Sequence, residues 1–142
     1  MTEFTVLLVD DEEGFIRTLA QRLRKRNVEP MTAVTGQEAL RLIQETAPDV
    51  MAVDLRMPDM SGIEILRRMK KNHPEIQVVV LTGHSWIEDE EEARALGAFA
   101  CLEKPLGIEE LLATLRKAYA EKLGGSTSSV RSTPGSEPET GA

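Results

Sequence analysis

Residues 4–9 read Phe-Thr-Val-Leu-Leu-Val and are followed at once by Asp10-Asp11, and they carry the strongest indication of the fold class. A nearly continuous apolar run of this length predicts a strand that is buried on both faces, as in parallel sheets. Such a strand needs helices against both of its faces. The next segment predicts one of them, a helix over Glu13–Arg26, because its apolar residues recur at helical spacing: Phe15, Ile16, Leu19, Ala20 and Leu23.

The same alternation of strand and helix patterns continues along the chain. Four further segments have the pattern of buried strands: Val28–Val34, Asp49–Leu55, Ile76–Leu81 and Ala98–Leu102. Apolar residues typical of a helix follow each of them: Ala39, Leu40, Ile43 and Ala47; Ile63, Leu66 and Met69; Ile87, Ala93 and Leu96; and Ile108, Leu111, Leu112, Leu115, Ala118 and Tyr119. Ser85 and Gly97 are expected to cap the fourth helix. Five strands alternating with five helices predict an α/β fold with a parallel sheet covered on both faces.

Length, cysteine content and hydropathy limit the class of protein. A chain of 142 residues fits one domain. Cys101 is its single cysteine, which excludes an internal disulfide framework and a cysteine-rich zinc site. No apolar run approaches the roughly 20 residues of a membrane span, and the first strand pattern leaves no room for a signal peptide. The cytoplasm is therefore the expected location.

Two further expectations follow from the net charge and from the composition of residues 124–142. The net charge of −7 argues against direct binding of nucleic acid, which requires a basic surface. The basic cluster Arg22, Arg24, Lys25 and Arg26 complements the dipole at the end of the first helix, and a partner-binding patch is the alternative. Residues 124–142 are rich in Gly, Ser, Thr, Pro and Glu, and they are predicted to form a flexible tail after a domain of residues 1–123.

Polar and charged residues follow the predicted strands at their carboxyl ends, where ligands bind in open α/β sheets. Asp10-Asp11 follows the first strand, Asp54 ends the third, Thr82-Gly83 follows the fourth and Lys104-Pro105 follows the fifth. If the first, third and fourth strands are neighbours, three carboxylates, a hydroxyl and an ammonium converge on one site. Taken singly, each residue also fits a turn, a helix cap or a loop, and for Asp10 or Asp59 alone that would be the preferred interpretation.

Clustered carboxylates repel one another, and a divalent cation removes that cost. Oxygen ligands with retained water are typical of Mg²⁺, which often completes its coordination with phosphate oxygens. An aspartate can be the nucleophile in phosphoryl transfer, while lysine and hydroxyl groups bind the phosphoryl oxygens. The residues thus predict a metal held by Asp11 and Asp54, a phosphoryl group on Asp54, and contacts from Thr82 and Lys104.

Four motifs in this order resemble the receiver domain of two-component response regulators: Leu7–Glu12, Asp54–Gly62, Leu81–His84 and Leu102–Pro105. The resemblance spans about residues 5–121. It implies a (βα)5 flavodoxin-like fold with a parallel sheet of order 2-1-3-4-5. It further implies phosphorylation of Asp54 by a sensor histidine kinase or a histidine phosphotransfer protein, with Mg²⁺ (or Mn²⁺) as cofactor.

The resemblance also assigns roles to residues around Asp54. Asp11, Asp54 and the backbone carbonyl of Arg56 would bind the metal, with Asp10 acting mainly through water. Thr82 and Lys104 would bind the phosphoryl oxygens, and the Lys104-Pro105 bond is expected to be cis. Arg56 and His84 occupy positions that flank the path of hydrolytic water, so we expect them to set the lifetime of the phosphoryl group. For Arg56 the alternative is a surface salt bridge with Asp59 or Glu88.

The chain departs from the family pattern at two places. Cys101 occupies the switch position where receivers usually carry Tyr or Phe, and Phe99 is expected on the same strand face. We therefore expect the signal to pass through the loop after the fourth strand and the helix that follows. That helix carries five consecutive acids, 88–92, and is predicted to be the least stable. For Cys101 itself, a buried inert thiol is preferred over a redox sensor.

Three functions fit these residues. The preferred one is a stand-alone phosphoacceptor, not an enzyme on other substrates, that signals through contacts with an unknown downstream protein. A Mg²⁺-dependent hydrolase of the aspartyl-phosphate type is the first alternative, but Arg56 stands where its general acid would be expected. A receiver-like scaffold that is never phosphorylated is the second. The resemblance leaves a homodimer open.

Overall fold

The predicted alternation of five strands and five helices is confirmed in a computed structural model of the chain, which describes residues 2–83 and 87–124 except the side chain of Ile87. The strands are β1 (Phe4–Val9), β2 (Val28–Ala33), β3 (Val50–Asp54), β4 (Gln77–Thr82) and β5 (Ala100–Glu103). The helices are α1 (Glu13–Arg24), α2 (Gly36–Glu45), α3 (Gly62–Asn72), α4 (Ile87–Ala95) and α5 (Ile108–Gly124). Ser85 and His84, and the predicted tail after residue 124, lie outside the described residues.

All neighbouring strands are parallel, and the sheet has the expected order β2-β1-β3-β4-β5. β1 lies between β2 and β3, and its Val9 pairs with Val53. Asp54 pairs with Leu81, so β3 and β4 end at the same edge. The loops after β1, β3, β4 and β5 therefore meet at one edge of the sheet, as the sequence predicts.

Two apolar layers cover the sheet, and the side-chain alternation of the strands divides them. Val6 and Leu8 of β1 face a cluster that includes residues of α1 and α5. Leu7 and Val9 face the opposite cluster, which includes residues of α2 and α3 and Ala93 of α4. Because both faces of β1 are buried, its nearly continuous apolar run is explained.

Several element ends differ from the sequence prediction. α1 ends at Arg24 instead of Arg26, and Asn27 adopts a positive φ of 67° beyond it. α2 ends at Glu45, because Thr46 is extended with φ −149°. The prediction that Ala47 belongs to that helix is wrong, since Ala47 is exposed after the helix end. Gly97, with φ +101°, follows α4 as expected.

Two side chains cap the start of α2, and one of them comes from the loop between β3 and α3. The hydroxyl of Thr35 accepts a hydrogen bond from the N–H of Glu38 at 3.1 Å. Asp59, in the loop between β3 and α3, accepts hydrogen bonds from the N–H groups of Gly36 at 3.0 Å and Gln37 at 3.1 Å. These contacts hold the pKa of Asp59 below its ordinary value. The interpretation of Asp59 as a helix cap is therefore confirmed. Its contacts hold the loop between β3 and α3 against the start of α2, at the carboxyl ends of the strands.

None of the helices in residues 2–83 and 87–124 combines the length and the apolar character needed to cross a membrane.

Candidate functional site

Three aspartates meet at the carboxyl ends of β1 and β3. Asp10 and Asp11 follow β1, and Asp54 is the last residue of β3. Each contributes one carboxylate oxygen to a group whose atoms all lie within 4.8 Å of one another. Asp10 and Asp54 are buried, with 1% and 6% of their surface exposed, while Asp11 is exposed. The sequence prediction that these carboxylates converge is confirmed.

Backbone groups fix the two buried carboxylates. The Oδ1 atom of Asp10 accepts a hydrogen bond from the N–H of Glu12 at 2.9 Å. Asp54 accepts one from the N–H of Arg56. α3 begins directly against the loop that follows Asp54, where the N–H of Gly62 donates to the carbonyl of Leu55 at 2.8 Å. A methyl group on Gly62 would lie 2.5 Å from the carbonyl oxygen of Asp54, so this close approach requires glycine.

Lys104 reaches the carboxylates from the end of β5, and its bond to Pro105 is cis as predicted. Its Nζ atom lies 2.7 Å from Asp10 Oδ2 and 3.9 Å from Asp54 Oδ1. Two further contacts come from residues that were not predicted to belong to the site. Nζ lies 2.9 Å from Glu12 Oε1 and 4.7 Å from the centre of the Phe15 ring.

Thr82 completes the set at the end of β4. It is 3% exposed, and its carbonyl accepts a hydrogen bond from the N–H of Lys104 at 2.7 Å. This backbone contact aligns the residue after β5 with the end of β4. The structure therefore brings Asp10, Asp11, Asp54, Thr82 and Lys104 to one edge.

The electrostatics of the site follow from its burial. Burial raises the pKa of Asp54 to about 6, and the nearby charge of Asp10 adds to the rise, although Lys104 opposes it. For Lys104, burial disfavours the charged form, but the carboxylates of Asp10 and Glu12 outweigh it, and the pKa lies above its ordinary value. The negative charge of the three aspartates is therefore only partly compensated by Lys104.

One buried carboxylate oxygen, Oδ2 of Asp10, indicates the kind of ion that this site can bind. Asp10 Oδ2 forms a short ion pair with Lys104, but no described group donates it a hydrogen bond of proper geometry. Buried carboxylate oxygens ordinarily accept hydrogen bonds, and one that has only an ion pair and lies beside two other carboxylates is suited to a cation. An all-oxygen donor set favours a hard divalent ion such as Mg²⁺. The residues present therefore fit a magnesium site.

Comparison with known proteins assigns the family. A family model, the response regulator receiver domain, matches residues 6–116. The chain belongs to this family. The receiver is 32% identical over 112 residues to sporulation initiation phosphotransferase F of Bacillus subtilis (strain 168), covering 79% of this chain and 90% of that protein. It is 40% identical over 113 residues to the transcriptional regulatory protein KdpE of Mycobacterium tuberculosis (strain ATCC 25618 / H37Rv), covering 80% of this chain and 50% of that protein.

The coverage of other relatives is smaller, and solved structures agree in fold. The receiver spans 24% of the regulatory protein AtoC of Escherichia coli (strain K12), with 34% identity over 113 residues and 80% of this chain covered. A receiver domain protein from Clostridium thermocellum superposes with a TM-score of 0.80 and 33% identity, covering 84% of this chain and 96% of that one. The solution structure of the beryllofluoride-activated NtrC4 receiver domain dimer superposes with a TM-score of 0.79 and 36% sequence identity. The match covers 83% of this chain and 98% of that one.

The side chain of Arg56 contacts helix α4. Its guanidinium is paired with Asp89 of α4 at 2.8 Å, so the expected partners Asp59 and Glu88 were wrong. Asp59 is instead engaged with the start of α2. A second ion pair of 2.7 Å joins Arg67 of α3 to Glu92 of α4. Together they border a cavity of about 450 Å³ between the loop after β3 and α4.

Cys101 and Phe99 lie in different apolar layers of the receiver. Cys101 packs against the cluster under α2 and α3, whereas Phe99 packs against the cluster under α1 and α5. The prediction that they share a face is wrong, because β5 begins only at Ala100 and its alternation does not extend back to Phe99. Cys101 is half-buried, and burial raises the pKa of its thiol, as expected of an unreactive side chain.

Proposed function

We propose that this receiver accepts a phosphoryl group on Asp54 from the phosphohistidine of a sensor kinase or a histidine phosphotransfer protein. The observation that carries the proposal is the setting of Asp54, a buried carboxylate with two further aspartates beside it and a lysine within 3.9 Å. We further propose that the phosphorylated state is relayed by contact with a downstream protein, and that this takes place in the cytoplasm.

The transfer needs Asp54 as the carboxylate. With its pKa raised to about 6, most of this group is ionised at neutral pH. One carboxylate oxygen attacks phosphorus, the new O–P bond forms, and the P–N bond to the donor imidazole breaks with its electron pair returning to nitrogen. Lys104 and the hydroxyl of Thr82 would then bind the phosphoryl oxygens.

The cation that the aspartates fit belongs to the same proposal. Asp11, Asp54 and the backbone carbonyl of Arg56 would hold Mg²⁺ or Mn²⁺, with Asp10 acting through water. When bound, the ion neutralises charge on the phosphoryl oxygens. Asp10 also holds Lys104 by the 2.7 Å ion pair, so it would serve both the cation and the lysine.

A direct assay tests the phosphoacceptor role. The receiver is incubated with Mg²⁺ and acetyl phosphate, and the intact mass is recorded. We expect one added phosphoryl group, lost in Asp54→Asn and retained in the matched control Asp59→Asn, whose carboxylate caps α2. Steady turnover of varied phosphate esters would instead support the hydrolase. Absence of both adduct and turnover would support a scaffold that is never phosphorylated.

We propose that the signal leaves the site through α4. Arg56 supports this route, since its backbone N–H contacts Asp54 while its side chain is paired with Asp89. With Cys101 at the switch position, the receiver lacks the aromatic side chain usual there. Arg56 and His84 would also set the lifetime of the phosphoryl group. The solved, beryllofluoride-activated NtrC4 receiver domain is a dimer, and a homodimer is part of the proposal for this chain.

α4 is expected to exchange its amide hydrogens faster than α1, because among its described side chains only Ala93 is buried. The two exposed ion pairs to Arg56 and Arg67 are each worth at most about 1 kcal/mol and are screened by salt. Hydrogen exchange with mass spectrometry should show Arg67→Gln opening α4 up to about fivefold more often.

Arg68→Gln is the matched control for this experiment, because Arg68 is paired with Glu64 within its own helix at 3.0 Å. It should leave exchange in α4 unchanged. Slower exchange in α4 than in α1, or equal effects of the two arginine variants, would contradict the expectation.

A further inference from the structure

We propose that Glu12 is a positioning residue for Lys104, which it holds on the solvent side of the site until phosphorylation draws the lysine toward Asp54. The inference rests on the proposed function of Asp54. Glu12 belongs to the loop between β1 and α1, next to the two aspartates. Its carboxylate is not part of the group that could hold a metal.

The contacts of the Lys104 ammonium are unequal. Glu12 Oε1 accepts a hydrogen bond from Nζ at 2.9 Å. Asp10 Oδ2 is closer, at 2.7 Å, and forms an ion pair with Nζ that lacks the geometry of a hydrogen bond. Asp54 Oδ1 lies 3.9 Å away, beyond hydrogen-bond distance. In this resting arrangement the lysine is thus bonded to Glu12 and not to the proposed phosphoacceptor.

The exposed fractions of the three side chains place Glu12 on the solvent side of Lys104. The side chain of Glu12 is 64% exposed, whereas those of Lys104 and Asp54 are 13% and 9% exposed. The ring of Phe15, from the first turn of α1, lies 4.7 Å from Nζ and adds a cation–π contact. Glu12 and Phe15 therefore form a second binding place for the ammonium, separate from Asp54 and nearer to water.

The backbone of Glu12 keeps this second place in register with the aspartates. Its N–H donates to Asp10 Oδ1 at 2.9 Å, so the residue that holds Lys104 is anchored on a buried member of the site. A phosphoryl group on Asp54 adds negative charge and three acceptor oxygens close to Nζ. Movement of the Lys104 ammonium toward those oxygens lengthens its 2.9 Å hydrogen bond to Glu12, so the Glu12 pair opposes the movement.

Binding of beryllofluoride, a phosphoryl mimic, measures this opposition. The full chain is titrated with beryllofluoride in saturating Mg²⁺, followed by NMR chemical shifts of the backbone amides. Glu12→Gln removes the charge of the pair, and Glu12→Asp keeps the charge but shortens the reach. We expect both variants to bind beryllofluoride about two- to fivefold more tightly, the range of an exposed ion pair.

Glu13→Gln is the matched control. It removes one negative charge from the adjacent position, where Glu13 contacts Arg17 at 3.6 Å and not Lys104. We expect its affinity for beryllofluoride to equal that of the unaltered receiver. The Nζ signal of Lys104 in the Mg²⁺-loaded protein without beryllofluoride provides a second readout, expected to move in both Glu12 variants and to stay in place in Glu13→Gln.

Each outcome decides between separate claims. Unchanged affinity in both Glu12 variants, or an equal gain in Glu13→Gln, would overturn the role of Glu12 while leaving the proposed function intact. An affinity gain in Glu12→Gln but not in Glu12→Asp would also overturn it, because charge alone would then explain the effect. If the unaltered receiver neither binds beryllofluoride nor forms a phosphoryl adduct, the proposed function falls and this inference with it.

Discussion

Replacing Asp54 by Asn is expected to raise the thermal unfolding midpoint of the metal-free receiver by roughly 5–15 °C at about pH 7.5. The buried carboxylate is destabilising when ionised, since burial and the charge of Asp10 raise its pKa from the ordinary value of 3.8 to about 6. A shift of this size corresponds to about 2–3 kcal/mol. Asn keeps the shape of the side chain and removes the charge.

The pH dependence follows from the direction of the shift. Between pH 3.8 and about 6 the folded receiver holds the Asp54 proton more tightly than the unfolded chain, so its stability falls as the pH rises through this window. Below that window both states are protonated, and the advantage of Asn vanishes. Above it the full cost of the buried charge is present, and the advantage is constant.

Differential scanning calorimetry in EDTA across this pH range tests the expectation. Asp59→Asn is a control that should change the unfolding midpoint in the opposite direction. The pKa of Asp59 is lowered, so removal of this carboxylate should destabilise the receiver at neutral pH. Adding Mg²⁺ should stabilise the unaltered receiver more than Asp54→Asn, since an ion that binds only the folded state raises its stability. An Asp54→Asn advantage that is equal at all pH values would contradict the argument.

Gly62→Ala is expected to destabilise the receiver by about 2–3 kcal/mol and to slow phosphorylation of Asp54 at least about tenfold. The added methyl group would lie 2.5 Å from the carbonyl oxygen of Asp54 and 2.8 Å from the Cα atom of Leu55. Both neighbours are backbone atoms, so the loop after β3 or the start of α3 must shift. Either movement displaces Asp54 relative to Lys104.

Gly14→Ala is the matched control, because a methyl group there meets no atom within 4 Å. Gly14 lies in α1, and alanine there should stabilise the helix by about 0.5–1 kcal/mol. Urea unfolding and the rate of adduct formation from acetyl phosphate measure both variants. Equal stability of Gly62→Ala and the unaltered receiver would show that the loop absorbs the contact without cost.

The sequence predicts the fold well because its signals are local. The apolar run of β1 and the helical spacing in α1 each follow from residues a few positions apart. The convergence of Asp10, Asp11 and Asp54 also follows, since parallel strands end at the same edge of the sheet. The helix ends are predicted less well, because Ala47 fits the apolar period of α2 while Thr46 has already left the helix.

The contacts that the sequence did not predict join distant parts of the chain. Glu12 and Lys104 are separated by 92 positions, and Arg56 and Asp89 by 33. Phe99 was placed on the wrong face because its side depends on where β5 begins, and that start is set by pairing with β4. A charged side chain on the surface has several acids within reach, so its partner depends on the packing of helices and loops.

The order of strands and helices along the chain, the family, and the set of residues at the carboxyl edge can all be predicted from the sequence alone. These follow from periodicity and from motifs that lie within short segments. The arrangement of those residues depends on the tertiary structure, in which Lys104 is bonded to Glu12 and lies 3.9 Å from Asp54, and Arg56 is paired with α4. Distances between these side chains follow from the packing of the whole sheet and its helices, and no local pattern encodes that packing.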